Sequence, residues 1–229
     1  MDIHKPKPVH SMREFFSEIG VIVVGIAIAL TGEQLVERWH WSQQTHETEA
    51  ALRSEIQESV DNVSERFAVD TCLRRQLSLL QTAATNKTPL AKPISVDPLR
   101  VAPDLYASPW RAWTRGSWEA AVASNGLGHM SQGRLHAYAN AYKAIEDIDE
   151  TIGRERAAKG ALAPLIDSAL DRQQANEASV AITNLDRNRA DILIAGRDLL
   201  GYARDLGLAP RRQARNSGSS FSSSVAACR

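Results

Sequence analysis

Six histidines in 229 residues are the first candidates for chemistry. A helix puts two imidazoles on one metal ion when they stand four residues apart, and no pair here does. His40 and His46 are six apart, and His129 and His136 are seven apart. "HETEA" (His46 to Ala50) opens like a zinc-protease helix but has Ala50 where the second ligand belongs. The carboxylate run "EDIDE" (Glu146 to Glu150) could divide acid and base roles if its members met different environments. Ile145, Ile148 and Ile152 mark the buried face of that stretch, so the acids mostly point away and only Asp149 lies near the seam. Ser117, Ser124 and Ser131 stand outside any G-x-S-x-G elbow, and "GLG" at 126–128 lacks the third glycine and preceding strand of a dinucleotide fold. No catalytic residue, metal ligand or cofactor is therefore predicted. Trp110, Trp113 and Trp118, with Arg111 and Arg115, form the most distinctive group. Such large amphipathic side chains pack in cores, sit at headgroups or cage a ligand, and core packing is the favoured reading. A ligand-sensing or enzymatic site around Trp110, Trp113, Trp118 and His129 is the alternative.

Composition narrows the class further. Lys+Arg and Asp+Glu both number 27, giving zero net charge. A nucleic-acid binder normally carries a basic patch, and "PRRQAR" (Pro210 to Arg215) is too short to supply one, so no nucleic-acid partner is predicted. The two cysteines, Cys72 and Cys228, spell neither a disulfide framework nor a zinc site, and the redox compartment stays unread.

The elements that would position these groups begin with an apolar run. From Ile19 to Gly32 there is no charge, a length of about 21 Å as helix. Including Phe15, Phe16, Leu35 and Val36 extends it to about 33 Å, enough for the hydrocarbon core, with Glu18 and Glu33 near the ends where carboxylates reach headgroups. Residues 15–36 are read as a transmembrane helix whose span includes Ile19, Gly20, Val24, Gly25, Ile28, Ala29 and Leu30. Arg13, Trp39 and Trp41 are its interfacial anchors. A soluble core helix would show a polar face, which this run lacks. A cleaved signal peptide finds an A-x-A site at Ala27-Ile28-Ala29, but Glu14 and Glu18 flank the run and the helical pattern continues through "EQLVERWHW". Lys5, Lys7 and Arg13 precede the span while only Arg38 and Arg53 closely follow it. The N-terminus is therefore expected in the cytoplasm and the remainder across the inner membrane, in the periplasm. Gly25, Ala29 and Gly32 share a side and form a face on which a second anchor helix could pack, giving a homodimer.

"KPKPVHSMREFFSEIGVIVVGIAIALTGEQLVERWHW" resembles the N-terminal signature of an uncharacterised bacterial family of small single-pass inner-membrane proteins: a Lys-Pro leader, Arg-Glu-Phe, an Ile/Val/Gly-rich span, Glu-Gln and a Trp-rich exit. "SWEAAVASNGLGHMS" (Ser117 to Ser131) is also similar to theirs, departing at Asn125-Gly126. The resemblance covers two short blocks. It implies location and architecture, with no activity attached.

After the span, no proline or glycine interrupts Glu33 to Ala84, and Leu52, Ile56, Val60, Val63, Phe67, Leu73, Leu77 and Leu80 trace one apolar stripe. "TNKTPLAKP" ends that helix, and no strand is predicted anywhere. "SPWRAWTRGSWEAAVAS" reads as helix, bent at Gly116, with glycine from "SNGLG" at its C′ position. A third helix follows Ser131 with Met130 and Leu135 as a hydrophobic staple and Leu135, Tyr138, Tyr142, Ile145 and Ile152 facing inward. A last helix carries Leu185, Ile192, Leu199 and Leu206 at a seven-residue repeat, with Ile182 and Gly196 between, and Gly207 and Pro210 close it. The chain is thus expected to be all-α. It divides into a cytoplasmic leader (1–14), the membrane helix (15–36), a periplasmic helical bundle with coiled-coil-like packing (37–208) and a disordered Ser-rich tail (209–229). The expected role is a membrane-anchored interaction or scaffold module holding a periplasmic protein partner.

Overall fold

The computed structural model describes residues 12–90, 95–97, 102–166 and 169–211. The fold is all-α: helix α1 (Met12–Asn86), α2 (Gly116–Ala123), α3 (Gln132–Gly160), a single 3-10 turn (Ala163–Leu165) and α4 (Arg172–Asp205). A short antiparallel ribbon, β1 (Ser95–Asp97) with β2 (Ala102–Asp104), departs from the strand-free expectation and pairs Val96 with Pro103. Three residues per strand carry no alternating pattern long enough to be read in advance.

The chain divides into two compact units, residues 1–47 and 48–229. In the first, the stretch of α1 from Ile19 to Leu30 turns apolar side chains outward. Ile22, Val24, Ile26, Ile28 and Leu30 are each more than half exposed. Thr31 returns its hydroxyl hydrogen to the carbonyl of Ala27 at 2.6 Å, so the one hydroxyl in the uncharged run is internally satisfied. Gly20, Gly25 and Gly32 have open space where a side chain would stand.

The second unit has its core in two parts. One gathers Leu52, Ile56, Val60 and Val63 of α1 with Tyr138, Tyr142, Ile145 and Ile148 of α3 and Ile192 and Leu199 of α4. The other gathers Leu73, Leu77 and Leu80 of α1 with Leu162, Leu165, Ala178 and Leu185. The stripes read on α1, α3 and α4 are therefore the core faces. Ile145 is fully enclosed in the first part. Ile145→Ala should lower the unfolding free energy by about 2–5 kcal/mol through lost burial and an unfilled cavity. Denaturant titration followed by circular dichroism checks this, and wild-type stability would contradict the core assignment.

Helix ends account for two further departures. Asn125 takes the left-handed conformation (φ 56°) after α2, with Gly126 N–H bonding Ala121 O at 2.9 Å and Asn125 N–H bonding Val122 O at 3.3 Å. This is a Schellman arrangement closed by asparagine, where glycine was expected. Gly126 serves instead for close approach: a Cβ there would lie 3.0 Å from the Thr48 hydroxyl. Gly207 (φ 70°) closes α4 as anticipated. At the other end of α4, Asp171 and Gln174 make a reciprocal capping box that the heptad reading did not include. At α3, Ser131 occupies the N-cap without a side-chain hydrogen bond. Met130 and Leu135 both join the first part of the core, as a staple requires.

Candidate functional site

The tryptophan–arginine segment is not helical before Gly116. Pro109 has no N–H to offer, and polar groups of α1 take the backbone instead. Gln76 Oε1 accepts from Ala107 N–H at 2.9 Å, and Arg66 Nη1 donates to Pro109 O at 3.3 Å. Arg111 Nη2 donates to Glu65 Oε1 at 2.9 Å and lies 2.7 Å from the other oxygen. Helix α2 then starts where a carboxylate awaits it. Glu55 Oε2 accepts from Ser117 N–H at 3.1 Å and from Tyr142 Oη at 2.8 Å, joining α1, α2 and α3 at one point. Burial and this bond to Glu55 push the Tyr142 phenol well above its ordinary range, so it stays a neutral donor.

The three tryptophans take three different positions. Trp113 is buried in the first part of the core, with its indole N–H lacking a partner among the described residues. Trp118 stacks on Tyr142 at 5.1 Å between ring centroids. Trp110 is on the surface, 55 % exposed. His129 is exposed as well. Among the described residues, no three His, Cys, Asp or Glu side chains converge as a metal site would require.

The carboxylate run is a surface ion-pair cluster. Glu146 bonds Arg115 on one oxygen and Lys143 on the other at 3.1 Å, while Lys143 also reaches Asp147 at 2.9 Å. The Lys143 and Arg115 bonds hold the Glu146 carboxyl below its ordinary range, so it is ionised at neutral pH and unsuited to donate a proton. Asp149, placed near the seam by periodicity, is exposed.

The acid that is buried is one the sequence reading passed over. Glu155 of α3 and Arg66 of α1 form an ion pair with both side chains 4 % exposed. Ser108 donates its hydroxyl hydrogen to the same carboxylate. Burial pushes Glu155 upward, yet the charges of Arg66 and Lys159 and the hydrogen bonds from Arg66 and Ser108 outweigh it, leaving its carboxyl below the ordinary value of 4.5. Lys159 also lies 5.3 Å over the Tyr106 ring, and burial followed by the Glu155 charge keeps that phenol protonated. With Glu65 and Asn188, this pair forms a buried polar layer lying, along each long helix, between the two parts of the core. Within it Arg66 and Glu155 bond one another, Ser108 and the Pro109 carbonyl add further hydrogen bonds, and the side chains of the layer are buried, which suits holding a structure more than turning over a substrate.

The anchor residues are described in α1. Arg13, Val24, Gly25, Ile28, Ala29, Leu30, Gly32 and Trp39 are exposed, as is Ile19 at 40 %, while Gly20 and Trp41 are half-buried. Trp41 Nε1 donates to Glu37 at 3.3 Å. Among the described residues, α1 alone is long and apolar enough to cross a membrane. The leader residues Lys5 and Lys7 lie outside the described residues.

No protein family, curated protein or solved structure matches the chain. The class is therefore defined by fold alone: an all-α protein with one long apolar N-terminal helix followed by further helices.

Proposed function

We propose that the protein is a single-pass inner-membrane protein whose periplasmic helical domain serves as an interaction or scaffold module. Membership in the family of small single-pass proteins that its two sequence blocks resemble belongs to the same reading. One observation carries it. A single helix contains both an apolar stretch with none of its surface covered and, further along, the spine of a helical core. A soluble protein would leave that apolar surface against water at high cost, whereas lipid covers it. Arg13 before the stretch and Trp39 and Trp41 after it suit the two interfaces. The partners are the bilayer, a periplasmic protein and a second copy through Gly25, Ala29 and Gly32. That last face is supported by the open space at Gly25 and Gly32. The alternative site at Trp110, Trp113, Trp118 and His129 draws less support, since these side chains are committed to core, stack and surface separately.

The test uses the full chain in cell membranes. Alkaline carbonate washing should leave the protein in the membrane pellet, and crosslinking should capture a dimer that Gly25→Ile abolishes. Release by carbonate overturns the anchor. A dimer untouched by isoleucine moves the contact elsewhere.

A further inference from the structure

Residues 105–113, between β2 and α2, form neither helix nor strand, yet they run across the polar layer from one part of the core to the other. Leu105 and Tyr106 are buried in the second part and Trp113 in the first. Ser108 and Pro109 lie between these two footholds. There the Ser108 hydroxyl donates to Glu155 Oε1, and the Pro109 carbonyl accepts from Arg66 Nη1 at 3.3 Å. Two adjacent residues thus hold both members of the buried ion pair.

Side chains of the helices fasten this segment. Gln76 Oε1 takes the Ala107 N–H, Arg66 the Pro109 carbonyl, Glu155 the Ser108 hydroxyl and Glu65 the Arg111 guanidinium. Among the described residues no backbone–backbone hydrogen bond joins 105–113 to a helix, and the one present, from Ser108 N–H to Tyr106 O at 2.9 Å, is internal. Breaking the four attachments leaves the helical ladders of α1 and α3 whole, and segments held in this way separate at a lower free energy than the fold itself. Release would bring Leu105, Tyr106 and Trp113 into water, which keeps the closed form dominant. It would also hydrate Arg66 and Glu155, which stay joined through Nη1–Oε1 at 3.4 Å and a shorter Nη2–Oε2 bond. Hydration recovers part of the desolvation that the buried pair carries, so the charged layer lowers the cost of opening here.

We infer that residues 105–113 are a clasp that opens and recloses as one unit over a bundle that stays folded. The Arg66–Glu155 pair is its catch, held by Ser108 and Pro109 when shut and met by water when open. This device stands on the packing of the helical domain and is independent of the membrane reading.

The test introduces a thiol at a buried clasp position, Ala107→Cys, and at a buried α3 position, Ala144→Cys, in the full chain in detergent. Iodoacetamide labelling is read after trypsin on peptides 101–111 and 144–154, which separate both sites from the native cysteines. The thiol at 107 should react roughly a hundredfold faster than the thiol at 144 and depend less steeply on urea. Ser108→Ala removes a hydrogen bond to a carboxylate and should speed labelling at 107 by about tenfold while leaving 144 unchanged. Equal rates and equal urea dependence at the two sites would mean that 105–113 opens only when the bundle unfolds, which overturns the clasp. Labelling at 107 as fast as in urea-unfolded protein overturns it from the other side, since nothing would then be shut. Acceleration of both sites alike, or of neither, by Ser108→Ala overturns the catch. Should the thiol at 107 itself unfold the domain, hydrogen exchange of the wild-type Ala107 amide against the α3 amides makes the same comparison.

Discussion

Glu155→Ala is expected to destabilise the helical domain by about 3–5 kcal/mol, the largest loss we anticipate for a single truncation outside the apolar core. The magnitude follows from what is left behind. Arg66 would keep a positive charge at 4 % exposure with its carboxylate gone and, among the described residues, the Pro109 carbonyl as its remaining hydrogen-bond acceptor. Removing both charges, as in Arg66→Leu with Glu155→Leu, should recover much of that loss, because the desolvation of each charge disappears together with their attraction. Urea unfolding of the detergent-solubilised full chain measures both. Equal damage from the double and single variants would mean that the pair is not coupled. The same group sets an acid limit. Its folded carboxyl titrates below its unfolded counterpart, so the stability it contributes is fully present above about pH 4.5 and is lost as pH falls through the lower folded value. Glu155→Gln should flatten that part of the pH–stability curve. A curve as steep as wild type would assign the acid sensitivity to other carboxylates.

Topology gives the other all-or-none result. A reporter active only in the periplasm should be fully active when fused after the helical domain, and one active only in the cytoplasm should be silent there. The motive is the placement of Lys5, Lys7 and Arg13 before the span against Arg38 and Arg53 after it. Neutralising the three leading charges should weaken or invert the preference. Full activity of the cytoplasmic reporter would reverse the orientation. A soluble product beginning near Leu30 would show cleavage in place of anchoring.

The long helices were legible because their apolar residues recur at three and four, and the same residues prove to be the core: Leu52 to Leu80, Tyr138 to Ile152, Leu185 to Leu199. The segment before Gly116 was misread as helix for a reason that local propensity cannot contain. Its backbone is claimed by Arg66 and Gln76, which lie far away in sequence. Glu155 was missed because "RERAAKG" looks like a solvated helix end. A signal was available, however. The spacing that runs through Ile145, Ile148 and Ile152 lands next on Glu155, and the spacing between Leu185 and Ile192 passes through Asn188. Both polar residues are members of the seam that a search for apolar side chains alone passes over. The contacts of residues 206–211 with Arg53, Gln57 and Asp61 of α1 left no mark at all, since a Pro-Arg-Arg sequence after a helix says nothing of an aspartate on another helix.

The polar layer also limits how the domain can move. Sliding α3 along α1 by one turn would carry Glu155 about 5.4 Å away from Arg66 and into one of the two flanking sets of aliphatic side chains. Two buried charges would be separated in a poorly polarisable interior, which shear between helices cannot accommodate in small steps. Each register that parts the two charges therefore costs desolvation that the native one does not. A lengthwise slide of one helix by a full turn against its neighbours is therefore costly in this bundle, and responses that leave Arg66 and Glu155 together are favoured over ones that part them.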